Sequence, residues 1–191
     1  MPAGHPPVDR GVESGELLQQ VEQLKAQLKD KPKTFEIAAA LGNLYYENGR
    51  YGDASVHYGE ALQKAADVFR VREALAKKPV AAAPLVDAGC AGITEVERLA
   101  AKAAEHLKAG NLARAQACIE PASRPLVPVL ARRANGYFLI GRVDDALGEH
   151  ARALAIDPDA LESLFFTGAM LYDSHCDEPA ELERAVAAWK R

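Results

Sequence analysis

Apolar residues recur along this chain at three- and four-residue steps and never alternate long enough for a strand, so the pattern predicts helices throughout. Leu17, Val21, Leu24 and Leu28 form the first such stripe, closed by Lys29-Asp30-Lys31-Pro32. Two later segments carry one common spacing: Leu41-Gly42, Tyr45, Gly49, Tyr51, Ala54, Tyr58, Ala61-Leu62, and then Leu130, Ala134, Tyr137, Gly141, Val143, Ala146, His150, Ala153-Leu154, Pro158. Each reads as two helices broken by a glycine, which lets the backbone turn where the first helix stops. Gly42 and Ala54 are small where two helices must approach, and Tyr45, Tyr58 and Leu62 are large where the gap between them must be filled.

That order of residues resembles the tetratricopeptide repeat, a pair of antiparallel helices about 34 residues long with Leu-Gly-x-x-Tyr, an inter-helix Gly, then Ala, an aromatic, Ala and Pro. Phe35 to Ala66 follows it closely, with Ala38 where Trp is usual and Ala66 where Pro is usual. Pro158 precedes a further unit that starts with Leu161, Leu164, Gly168 and Leu171. Asp177-Glu178-Pro179 lengthens the loop of that unit before Leu182, Ala185, Val186 and Trp189 resume helical spacing. A weaker copy carries Leu99, Ala103, Gly110, Leu112, Ala115 and Ile119, with Gly110-Asn111 as its break. The resemblance implies an all-α, helical-hairpin solenoid of about three to four repeats, with the Leu17–Leu28 stripe as a lone or capping helix.

Phe35 and Val96 stand nearly two repeat lengths apart, so something is inserted between them. Val68, Phe69, Val71, Ala74 and Leu75 extend the preceding helix or form another short one, stopped by Lys78-Pro79. The division expected is a Pro/Gly leader at 1–14, an N-terminal helix with the first repeat and its extension at 15–78, an Ala/Pro/Gly connector at 79–92, and a C-terminal repeat array at 93–191.

The formal net charge of −4, with acidic and basic residues intermixed, argues against a nucleic-acid surface, where a concentrated basic face is expected. No apolar run is long enough to span a bilayer and the leader lacks a signal-peptide core, so the chain as written reads as cytoplasmic. An N-terminal anchor removed upstream would make it periplasmic. Cys90, Cys118 and Cys176 are an odd set without CxxC spacing, which supports neither a disulfide framework nor a zinc site, and His175-Cys176 adjacency suits one ion poorly. Cys90, flanked by Gly in the connector, is the thiol expected to be reactive or crosslinkable through exposure; Cys118 is expected to be a buried small thiol. No motif for nucleophilic, metal-dependent or phosphate chemistry is present, so no catalytic residue, metal or cofactor is expected, and His57 and His150 read as packing residues.

Function then falls to a surface. Stacked repeats form a concave groove lined by the first helix of each unit, and the resemblance implies that it holds a partner peptide or amphipathic helix. The shared offsets place Glu36, Ala39, Asn43, Tyr46 and Glu47 there from the first repeat, and Glu97, Ala100, Ala104 and Leu107 from the weaker one. The later repeats supply Ala131, Arg132, Asn135 and Phe138, then Glu162, Phe165, Phe166, Ala169 and Tyr172. Ala39 stands where the chaperone-adaptor clamp has Lys, which sets aside that subclass. The partner-groove set is Tyr46, Phe138, Phe165, Phe166 and Tyr172 as apolar anchors, with Asn43, Arg132 and Asn135 as polar fixers.

The chain is also similar to bacterial tetratricopeptide factors of cytochrome c maturation, through Leu24, Leu28, Pro32, Leu41-Gly42 and Tyr45 and a terminal segment with Asp157-Pro158, Leu161, Gly168 and Ala187-Ala188-Trp189. That resemblance implies a periplasmic holdase for an unfolded apocytochrome. The expected function is a non-enzymatic scaffold or adaptor, with the holdase as the alternative and the free ends as candidates for self-association.

Overall fold

The computed structural model describes residues 15–30, 34–78, 89–175 and 177–190. The leader at 1–14, Pro32, most of the 79–92 connector and Cys176 lie outside them. Among the described residues there are ten helices and no strand: α1 (Gly15–Asp30), α2 (Thr34–Glu47), α3 (Tyr51–Lys64), α4 (Ala66–Ala76), α5 (Val96–Lys108), α6 (Leu112–Ser123), α7 (Leu126–Leu139), α8 (Val143–Ile156), α9 (Leu161–His175) and α10 (Pro179–Trp189). They pack as adjacent pairs, α2 with α3, α5 with α6, α7 with α8 and α9 with α10.

Three of the pairs turn in the same way. Gly49, Gly110 and Gly141 take φ of 73°, 75° and 82°, a left-handed conformation that a side chain resists. The next N–H in each case reaches back over the last turn, Arg50 to Tyr45 O at 2.9 Å, Asn111 to His106 O at 2.9 Å and Arg142 to Tyr137 O at 2.8 Å. Carbonyls that a helix end would leave unpaired are satisfied by this long return bond. The fourth pair turns differently, with Pro179 in the first turn of α10, where its missing N–H costs no helical bond.

Within a pair, one small residue lies under one large one. A Cβ on Gly42 would collide with the Tyr58 ring, and one on Gly168 with the Trp189 indole. The corresponding positions hold Ala103 and Ile119 in α5/α6, and Ala134 and His150 in α7/α8, all buried.

The pairs do not stack in chain order. The α3 helix lies against α7, and α8 against α9, so α2/α3, α7/α8 and α9/α10 are spatial neighbours. The α4 helix starts afresh after Ala65 instead of extending α3, packs on α5 and α6, and sets them to one side. Small residues permit the α3–α7 junction: a Cβ on Gly136 would stand 3.2 Å from Ser55 Oγ, and one on Gly59 would stand 3.0 Å from the Arg133 guanidinium. Arg133 donates from Nε to Ser55 O at 3.2 Å and from Nη1 to Glu149 at 2.9 Å, and Arg152 also holds that buried carboxylate at 3.0 Å. Charge-assisted bonds to both sides keep Glu149 compensated out of water.

Two further devices fix the set-aside helices. Arg72 of α4 donates to Ala155 O at 3.0 Å and Ile156 O at 3.4 Å, placing a cation on the carbonyl end of α8. Glu97 of α5 accepts from Thr34 Oγ1 at 2.6 Å and Phe35 N at 2.8 Å, while Glu36 of α2 accepts from Val96 N at 3.2 Å. Each helix therefore caps the N-terminus of the other. One buried cluster runs from Leu17 and Val21 of α1 to Ala153 of α8, and a second joins Ala134, Tyr137 and Ala146 to Met170 of α9.

Cys90, expected from its place in the connector to be reactive or crosslinkable, is cross-linked. It is disulfide-bonded to Cys118 of α6, with the two Cα atoms 5.6 Å apart, which pins the segment before α5 onto the core. Cys118 is buried as expected, but as half of a cross-link.

Candidate functional site

The eight partner-groove residues fall on α2, α7 and α9, which the stacking order brings side by side even though four helices, α3 to α6, separate α2 from α7 along the chain. They divide into a polar group and an aromatic group.

The polar group bridges α2, α3, α7 and α9. Asn43 Oδ1 accepts from Tyr58 Oη at 2.8 Å and from Arg132 Nη1 at 2.7 Å, and Arg132 lies 3.9 Å from Glu47. Burial pushes the Tyr58 hydroxyl up to about 12, so it stays a proton donor to Asn43. Burial also raises Tyr46, followed by the nearby Tyr51 and Glu162, against the opposing pull of Arg132. The Tyr46 ring packs edge-on against Tyr51 with centroids 5.2 Å apart. Asn135 donates from Nδ2 to Glu162 at 2.9 Å, and its Oδ1 is buried with no hydrogen-bond partner among the described residues. Asn43 and Asn135 thus face into the protein, and the groups left toward solvent are Arg132, Glu47 and Glu162.

The aromatic group is graded in exposure. Phe138 and Phe166 are half-buried against the second cluster, and Phe166 stacks on the His150 ring at 6.1 Å. Phe165 stands edge-on to Phe166 at 5.4 Å yet is 59% exposed. Tyr172 is 52% exposed, with Trp189 6.1 Å away. Leu161, which the groove offsets omit, is 77% exposed, one turn before Phe165. Leu161, Phe165 and Tyr172 share one face of α9, and among the described residues they are the exposed large apolar side chains of α2, α7 and α9. The sequence hid Leu161 because α9 is apolar on nearly every side, so periodicity did not separate inward from outward positions.

Two other expected groove residues have structural tasks: Glu36 and Glu97 are the reciprocal helix caps. His150 is wholly buried, with Nδ1 3.2 Å from Ser163 Oγ and Nε2 unpartnered among the described residues. Burial lowers it to about 4, so it is neutral near pH 7. His57 stacks on Tyr45 at 5.2 Å and lies 2.9 Å from Glu60. Among the described residues no three His, Cys, Asp or Glu side chains are placed to hold a metal, and no helix is long and apolar enough to cross a membrane. No protein-family model matches the sequence, and no curated protein matches it.

Proposed function

We propose that the chain is a tetratricopeptide-type hairpin solenoid that works as a non-enzymatic scaffold, holding a partner peptide or amphipathic helix across α2, α7 and α9. The observation that carries this reading is the exposed row Leu161, Phe165 and Tyr172 on α9, the helix whose exposed Glu162 bonds Asn135 of α7. Exposed aromatics next to charged groups supply anchor area and orientation to a bound helix. Phe165→Ala with Tyr172→Ala is the test, because both rings are more than half exposed. Affinity capture from native lysate should yield a partner that binds wild type and is lost from the double variant at unchanged helicity. Capture that is identical for both proteins would remove the reading.

The disulfide favours a second reading. Cys90–Cys118 would persist in an oxidising compartment, which suits a periplasmic holdase for an unfolded client such as an apocytochrome c. Suppression of the aggregation of haem-free cytochrome c by the oxidised protein, lost in the Phe165/Tyr172 variant, would select this reading over the adaptor.

A further inference from the structure

Among the described residues nothing covers one face of α10, and the first pair shows what such a face carries. In α3 the positions Tyr51, Ser55 and Gly59 lie beneath α7, with Gly136 over Ser55 and the Tyr51 carbonyl and Arg133 over Gly59. Ascending α3 therefore means descending α7, and the two helices run antiparallel. When Trp189 is aligned with Tyr58, the same three positions in α10 are Leu182, Val186 and Lys190. With Glu183 and Ala187 they line an open groove of about 360 Å³. The groove is shaped for one more antiparallel helix.

We propose that its occupant is α10 of a second copy of the chain, docked antiparallel about a two-fold axis between Val186 and Ala187. The charges select this occupant. An antiparallel pairing centred there sets Glu183 of each copy opposite Lys190 of the other, so a single helix carries both halves of two ion pairs. Neither residue has an ion pair among the described residues, whereas Glu181 and Arg184 on the flank are paired with each other. A head-to-tail contact is the poorer match, because α1 at the other end of the stack turns Glu16, Gln19, Gln20 and Gln23 outward with Leu18 alone as an exposed apolar residue among its described positions. One helix pair buries less than the roughly 1,600 Å² of a standard interface, so the dimer is a weak one, with Kd in the micromolar range. This surface lies apart from the α2/α7/α9 face and does not depend on the function proposed for it.

Sedimentation equilibrium over a concentration series tests the proposal, in a Cys176→Ser background that excludes intermolecular disulfides. Wild type should show a monomer–dimer equilibrium, and Val186→Glu should be monomeric throughout with unchanged helicity. Glu183→Lys and Lys190→Glu should each weaken association about tenfold, since two opposite-charge pairs become like-charge pairs. Mixing those two variants should restore wild-type affinity, as every facing pair is then opposite in sign. A wild-type monomer at all concentrations, a dimer indifferent to Val186→Glu, or a mixture no tighter than either variant alone would each overturn it.

Discussion

The α2/α3 and α7/α8 pairs solve one packing problem in two ways. In the first, Gly42 leaves room for Tyr58, whose hydroxyl finds Asn43. In the second, Ala134 occupies part of that room and the filler shrinks to His150, while Asn135, the counterpart of Asn43, turns its amide to Glu162 and leaves Oδ1 unpaired among the described residues. The other two pairs follow suit: Gly168 lies under the large Trp189, and Ala103 stands with the smaller Ile119. Floor and filler vary together, so the conserved quantity is the volume between the helices and not either residue.

The comparison can be broken hardest at α5/α6, whose aliphatic filler Ile119 is next to the disulfide-bonded Cys118. Closing a loop across a sequence separation of 28 is worth about 3.5 kcal/mol by chain entropy. Reduction, or Cys118→Ala, should lower the unfolding free energy by up to that amount, with hydrogen exchange rising in α5 and α6 before α2 and α3. Denaturant titration with and without reductant measures the first effect.

Next in size is the acid response of His150. Its folded-state pKa of about 4 lies below the unfolded value near 6.5, so the unfolded chain takes up the proton first as pH falls. Stability should be unaffected by this group above pH 6.5 and should decline between there and pH 4, by about 3 kcal/mol in all. Tyr58 gives the first pair no such loss. Chemical denaturation at stepped pH would show whether the decline vanishes once residue 150 cannot ionise in that range.

The smallest effect is the sharpest test of the floor-and-filler rule. His150→Tyr alone should cost about 1–3 kcal/mol through collision with Ala134, and Ala134→Gly should recover most of it. A double-mutant cycle with no coupling between 134 and 150 would show that the slots are not equivalent.

Much of the local architecture is legible in the sequence, because turn and packing residues within a pair are neighbours along the chain. Gly49, Gly110 and Gly141 mark the turns, Gly42 and Tyr58 the packing, and Asp177-Glu178-Pro179 the longer loop. The junctions are not legible. Ser55, Gly59 and Gly136 are small residues with no periodic signature, and only their meeting across the fold gives α3 a seat on α7. The Cys90–Cys118 bond escaped for the same reason, since an odd count of cysteines without spacing says nothing about proximity. On the candidate face, the offsets found α2, α7 and α9 but could not tell exposed Phe165 from half-buried Phe138 and Phe166, or foresee that Asn135 turns inward to Glu162.

The seat of α3 on α7 also bears on how the chain comes to its final form. Arrays whose units touch only chain neighbours can nucleate anywhere and fray from either end. Here the hairpins can form locally and fast, yet α3 and α7 meet only after the whole α4–α6 excursion has been gathered in, at the entropic cost of a long loop. Arg72 on the end of α8 and the exchanged caps of Glu36 and Glu97 add further ties between distant stretches, so α2 through α8 are bound into one cooperative body rather than a row of separable units.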